Sequence, residues 1–232
     1  MSTEANKPQE VITKSTEEKV VEKSQQFWSK NSKLIIIALV GIVVIVGGFF
    51  GYQAYQGPKE LEANEAIWVA QQNFKMDSFQ LALNGDNSKN NPGFLKVISK
   101  HSGTKAANLA SFYAGVCYLH MGDFNNAIKF LDQYKAVENI DKMRTAGSLG
   151  DAYAELGKFD KAAEFYKTAA SVYEVDELSS SEYLFRAGQA FEKQGKNKEA
   201  IDAFKSLKDK FPLTERGRNI DMFLARLGDT NN

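Results

Sequence analysis

The chain has 232 residues and a formal charge of zero, with Lys plus Arg 29 against Asp plus Glu 29, which excludes the clustered positive charge of a broad nucleic-acid surface. A single cysteine, Cys117, excludes an intrachain disulfide and a cysteine-rich metal site, and two histidines leave little for histidine chemistry. Four prolines, 17 glycines and long segments of Ala, Leu, Lys, Glu and Gln point to an all-α protein.

Residues 1–33 carry six lysines, five glutamates and one proline. Their scattered apolar residues (Val11, Ile12, Val20, Val21) cannot build a core, so a disordered tail is expected, with room for a short helix near Glu17–Gln26.

Residues 34–50 read LIIIALVGIVVIVGGFF, without one charged side chain, and Gly51 and Tyr52 extend the run. About 19 residues at ~1.5 Å each cover ~28 Å, close to a hydrocarbon core, so 34–52 is expected to be a transmembrane helix. Phe27 and Trp28 flank it on one side, Tyr52 and Tyr55 on the other, as interfacial aromatics do. A cleaved signal peptide fits less well: the polar stretch before the core is long, and Tyr52-Gln53-Ala54 puts a large ring where a small residue is wanted. The twenty residues before Leu34 hold five lysines (Lys14, Lys19, Lys23, Lys30, Lys33), and the twenty after Phe50 hold one, Lys59. The positive-inside rule then keeps the N-terminus cytoplasmic and exports the remainder, into the periplasm if the cell is a bacterium. Gly47 and Gly51 form a small-xxx-small pair, a candidate helix–helix contact in the membrane, although glycine is common in such helices.

After Gly57-Pro58, read as a short link, the remaining residues contain an internal repeat. AGVCYLHMGDFNNAIKFL (114–131), LGDAYAELGKFDKAAEFY (149–166) and AGQAFEKQGKNKEAIDAF (187–204) align without gaps. Glycine recurs at 115, 150 and 188, an aromatic at Tyr118, Tyr153 and Phe191, glycine at 122, 157 and 195, and alanine at 127, 162 and 200. The pattern resembles the tetratricopeptide repeat, a helix–turn–helix unit with a period near ~34 residues. The first glycine lets the partner helix approach, the aromatic fills the intra-repeat core, the second glycine ends the first helix, and the alanine marks a tight crossing. Three such repeats are expected over 104–213. Upstream, Leu61–Leu83 has helical apolar spacing, and NGDNSKNNPG (84–93) is a loop of turn formers. GFLKVISKHSGT (93–104) resembles the close of the third repeat, SLKDKFPLT (206–214), with Thr104 and Thr214 placed to cap the next helices. Residues 58–103 are therefore read as a degenerate first repeat. Residues 214–232 are read as a capping helix and tail, with Ile220, Phe223, Leu224 and Leu227 on the buried side.

The whole arrangement resembles the ancillary Sec-translocon subunit family (the YfgM type), on the segments GFLKVISKHSGTKAANLASFYAG and FPLTERGRNIDMFLARL. That resemblance implies a single-pass bacterial inner-membrane protein with a periplasmic repeat domain. It further implies docking at the Sec channel and handover of emerging chains to periplasmic chaperones. The tail is longer, and the 84–93 loop more polar, than that family suggests.

No H-E-x-x-H, C-x-x-C, P-loop or G-x-S-x-G is present, and 86–97 lacks the glycine and glutamate of a calcium loop. No cofactor, metal, nucleic acid or small-molecule substrate is expected, and an enzyme is not expected. The first helices should instead offer a protein-binding groove: Phe112, Val116 and Leu119, then Arg144, Gly147, Asp151 and Glu155, then Glu182, Phe185, Gln189 and Glu192. Lysine–asparagine pairs for a carboxylate clamp are missing, so an apolar segment is the better-fitting occupant. Phe112 and Phe185 are equally compatible with interior packing. A structural scaffold for another envelope complex is the alternative function.

Overall fold

The apolar run at 34–50 lies within one helix of 60 residues, α1 (Thr16–Lys75). The computed structural model describes residues 16–86 and 91–230, with side chains from Val21 onward. The chain divides into two units between Tyr55 and Gln56, and α1 contributes to both. In the first unit α1 is long and apolar enough to cross a membrane, and no residue from Leu34 to Tyr52 is buried. Two expectations are corrected here. Residues 16–33 are helical rather than disordered, because Lys-, Glu- and Gln-rich sequence extends a helix already nucleated beside it; residues 1–15 lie outside the described residues. Gly57-Pro58 is not a link: Pro58 lies inside α1 and simply withdraws one helical N–H.

The second unit is a run of paired helices. The pairs are α4 (Lys105–His120) with α5 (Phe124–Gln133), α6 (Asn139–Glu155) with α7 (Phe159–Val172), and α8 (Glu177–Glu192) with α9 (Asn197–Lys210). No strand occurs among the described residues. The fold is an all-α tetratricopeptide-like solenoid in a chain that also carries one long apolar helix.

Each pair is closed by the same contact. A Cβ added at Gly115 would lie 2.6 Å from Leu131 Cγ, one at Gly150 2.6 Å from the Tyr166 ring, and one at Gly188 2.2 Å from the Phe204 ring. Second-helix side chains therefore occupy the space a first-helix side chain would need. Ala127, Ala162 and Ala200 are fully buried at the same crossings. The turns also repeat. Gly122, Gly157 and Gly195 take φ of 78°, 69° and 70°. The next amide, of Asp123, Lys158 or Lys196, then donates to the carbonyl of Tyr118, Tyr153 or Phe191 at 2.9, 2.9 and 3.0 Å. Two of those rings stack on the second helix, Tyr118 on Phe130 and Tyr153 on Phe165, each at 5.3 Å.

The degenerate first repeat uses the same turn with a different residue. The helix expected over Leu61–Leu83 breaks at Met76–Ser78, where Asp77 takes φ 54° and the Ser78 amide donates to Asn73 O at 3.0 Å. Aspartate tolerates the left-handed region, so it serves where the later repeats use glycine. The second-helix position is then shared by α2 (Phe79–Asn84) and α3 (Gly93–Lys100). Buried Asn73 donates to buried Asn91 at 3.0 Å across the loop between them. Ala63, Ile67 and Ala70 of α1 bury against Phe94, Val97 and Ala110. At the other end the expected single capping helix is two, α10 (Glu215–Asn219) and α11 (Asp221–Arg226), tightened at Ile220 by a Phe223 N–H donating to Ile220 O at 2.9 Å. Ile220 and Leu224 are buried as expected, with Phe223 and Leu227 packed beside them. Thr104 and Thr214 both cap, accepting from Ala107 N at 3.0 Å and Gly217 N at 3.1 Å.

Gly188→Ala tests the crossing. Alanine raises helix propensity by about 1 kcal/mol, but displacing the Phe204 ring costs about 1–3 kcal/mol. The melting temperature is expected to fall; a rise would mean that the ring yields freely and the close approach is not required.

Candidate protein-binding surface

The first helices of the pairs carry the residues singled out for binding, and the structure divides them into three groups. Phe112, Val116 and Leu119 are half-buried on α4. The Phe112 ring lies 5.7 Å from Tyr113 and 5.4 Å from Tyr134, so one side of it is packed against aromatics. Glu155 of α6 and Gln189 of α8 share a cleft of about 320 Å³ with Phe159, Tyr166, Arg186 and Lys193. Arg144 is exposed on α6.

Phe185 is corrected. It is 3% exposed, packed on Phe204 at 5.8 Å and Phe223 at 4.8 Å, with the Arg216 guanidinium 4.1 Å over its ring. It is core, because a second ring and a cation cover both approaches. Gly147 is covered as well: a Cβ there would lie 2.3 Å from the Tyr183 hydroxyl.

Asp151 belongs to an ionic chain that motif reading does not reveal. Tyr166, whose ring covers Gly150, donates its hydroxyl proton to Asp151 Oδ1 at 2.7 Å. Arg186 Nη1 donates to the same oxygen at 2.8 Å, and its Nε donates to Glu182 Oε1 at 2.9 Å. Arg216 Nε closes the chain on Glu182 Oε2 at 2.7 Å. Further along, Arg226 Nη2 donates to Glu192 Oε2 at 2.7 Å. The partners are 35 residues apart for Asp151–Arg186 and 34 for both Glu182–Arg216 and Glu192–Arg226. Lys196–Asp160 and Lys210–Glu174, 36 residues apart, repeat the pattern. In each, an acid of one repeat meets a base of the next, so every rung is neutral. A scan for opposite charges one period apart would have found them.

The electrostatics follow. Burial pushes the Tyr166 hydroxyl up, and Asp151 adds to the rise. Burial alone would raise the Glu182 carboxyl, but the bonds from Arg216 and Arg186 outweigh it and hold the carboxyl below its ordinary value. Of the remaining candidates for chemistry, Cys117 is buried, and burial pushes its thiol up to about 12. His120 is exposed, with one ring face covered by Phe79 at 4.2 Å. Among the described residues no group of three or more His, Cys, Asp or Glu could hold a metal. This face presents half-buried apolar side chains on α4, then a clefted, charge-balanced surface from α6 to α10.

Removing Arg186 should release two carboxylates at once. Arg186→Ala is expected to destabilise the repeats by about 1–2 kcal/mol at neutral pH, since these side chains are partly solvated. A lowered carboxyl stabilises above its unfolded value and loses that contribution as pH falls through the folded one, so the cost should shrink below about pH 4. An equal cost at both pH values would contradict the ionic reading.

The tetratricopeptide repeat-like domain family matches residues 25–229, taking in both the apolar helix and the repeats. A crystal structure of the nearly identical TPR-like repeats of a candidate kinesin light chain from Podosopora anserina has a similar fold. It shows a TM-score of 0.53 and 15% identity over 72% of this chain and 86% of that one. A single-substitution variant of the same repeats gives 0.53 and 14% over 72% and 85%. No match to a curated protein is found. With most of its length matched, the chain belongs to the tetratricopeptide repeat-like domain family.

Proposed function

We propose that this protein is a membrane-anchored protein-interaction module of the bacterial inner membrane. Its N-terminus is cytoplasmic and its repeats are periplasmic. It docks at the Sec translocon and helps pass emerging chains to periplasmic chaperones. The observation that carries the reading is the union, in one chain, of a helix long and apolar enough to span a membrane with a repeat domain of a protein-binding type. The five-to-one lysine asymmetry around 34–50 supports the orientation. The resemblance to the ancillary translocon family supports the choice of partner. Clients would lie along Phe112, Val116 and Leu119 and continue over the Glu155–Gln189 cleft. The neutral rungs favour an apolar or mixed segment over a strongly acidic tail.

Gly47 and Gly51 are the proposed contact within the membrane. A Cβ at either meets nothing within 4 Å, so a photoreactive side chain fits without disturbing α1. Placed there in the full-length chain, it is expected to capture a Sec-channel subunit. Capture of a different envelope complex would make the protein an assembly scaffold. Capture of lipid alone would remove the membrane contact from the proposal.

A further inference from the structure

The first turns of α1 in the second unit meet the corner between α3 and α4, and the meeting is built from acid-sensitive groups. Glu60 of α1 accepts from two amides at the start of α4, Lys105 N at 2.8 Å and Ala106 N at 3.0 Å. Thr104 takes the next amide, Ala107 N, at 3.0 Å, and its carbonyl accepts from Asn108 N at 3.1 Å. The amides of the α4 N-terminus are thus satisfied, two of them by a carboxylate from another helix. Beside them, Glu62 of α1 pairs with Lys100 of α3.

His101 holds this corner. Its carbonyl accepts twice from Thr104, from Oγ1 at 2.7 Å and from N at 3.1 Å, so the cap of α4 hangs on its main chain. The residue is 3% exposed, and its Nδ1 has no hydrogen-bond partner. A neutral imidazole can occupy such a site at modest cost. An imidazolium would bring a charge and a second N–H into it with no acceptor waiting. Of the charged groups on the elements around it, Glu62 favours the charged ring, but burial outweighs it. Glu60 and Glu62 of α1 are committed to the α4 amides and to Lys100. Lys100 of α3 and Lys59 of α1 disfavour a further cation, and Lys96 of α3 and Glu65 of α1 line the same cleft as His101, while Lys105 of α4 meets Glu60 through its amide. A cleft of about 620 Å³, lined by Glu62, Glu65, Val69, Lys96 and His101 among others, lies beside the ring and offers it water if it turns out.

We propose that His101, Thr104 and Glu60 form an acid-released latch, in which protonation of His101 frees the α3–α4 corner from α1. The imidazolium reaches the water of the cleft by displacement of the whole His101 turn, main chain included, so the His101 carbonyl leaves Thr104, the cap loosens, and the Glu60 bonds to Lys105 N and Ala106 N are lost. Burial holds the His101 pKa below its ordinary 6.5; Glu62 opposes that shift, and Lys100 and Lys59 add to it. The sign is fixed by this: the unfolded corner binds more protons than the folded one, so the latch is at full strength above about pH 6.5 and weakens as pH falls toward the lower folded value.

The test uses the full chain in detergent micelles or nanodiscs. With only two histidines, the His101 and His120 ring resonances are readily assigned. His101 is expected to titrate below about 6.5, and amide-exchange protection at Lys105 and Ala106 to fall, by at most about tenfold beyond the intrinsic change, between about pH 7.5 and about pH 5.5. His101→Phe, which cannot titrate, is expected to hold that protection level over the same range. A His101 titration at or above the ordinary value, unchanged protection in the native chain, or a fall retained in His101→Phe would each overturn the latch. If the variant does not fold, the native titration and exchange decide it alone.

Discussion

Everything in the repeat unit depends on one contact made three times: a bare glycine on a first helix under a large side chain of the second. Gly115 with Leu131, Gly150 with Tyr166 and Gly188 with Phe204 set how closely each pair can approach. Glycine inside a helix costs about 1 kcal/mol relative to alanine, and the burial of a large side chain, about 1.5–3 kcal/mol, outweighs it. Because the same contact recurs each time, the pairs are alike, and like pairs stack into a solenoid.

The same contact positions the candidate binding surface. Tyr166 reaches Asp151 because its ring already lies on the neighbouring Gly150. Asp151 in turn fixes Arg186, which fixes Glu182, which fixes Arg216 over Phe185. Packing within one repeat thus passes into an ionic register between repeats. A surface built this way is preorganised, which lowers the ordering cost of binding a segment. For the proposed client segment, its neutral rungs leave shape and apolar contact, rather than net charge, as the basis of selection.

Much of this was legible in the sequence because the repeat depends on residues with one physical meaning. Glycine at 122, 157 and 195 implies a left-handed turn, and alanine at 127, 162 and 200 a crossing; the structure shows both. Less legible were features where a second residue type does the same work or where the partner is remote. Asp77 turns the chain where glycine would be sought, so no glycine marks the break between α1 and α2. Glu60 caps a helix 45 residues away, and no local pattern signals that. Proline at 58 suggests an end to a helix, but the helix formers on either side carry α1 through it. Phe185 and Phe112 occupy equivalent places, and only the neighbours decide: Phe223 and Arg216 bury the first, while the second stays half-buried.

The central claim is that the glycine and the ring opposite it act as a unit. A double-mutant cycle on Gly150→Ala and Tyr166→Ala, read as unfolding free energy of the repeats, tests it directly. The account predicts strong coupling: once the ring is gone, the added methyl has nothing to displace and alanine's helix preference turns its effect neutral or favourable, a coupling of about 1–3 kcal/mol. Additive costs would mean that Gly150 and Tyr166 do not act on each other, and the repeat would need another explanation.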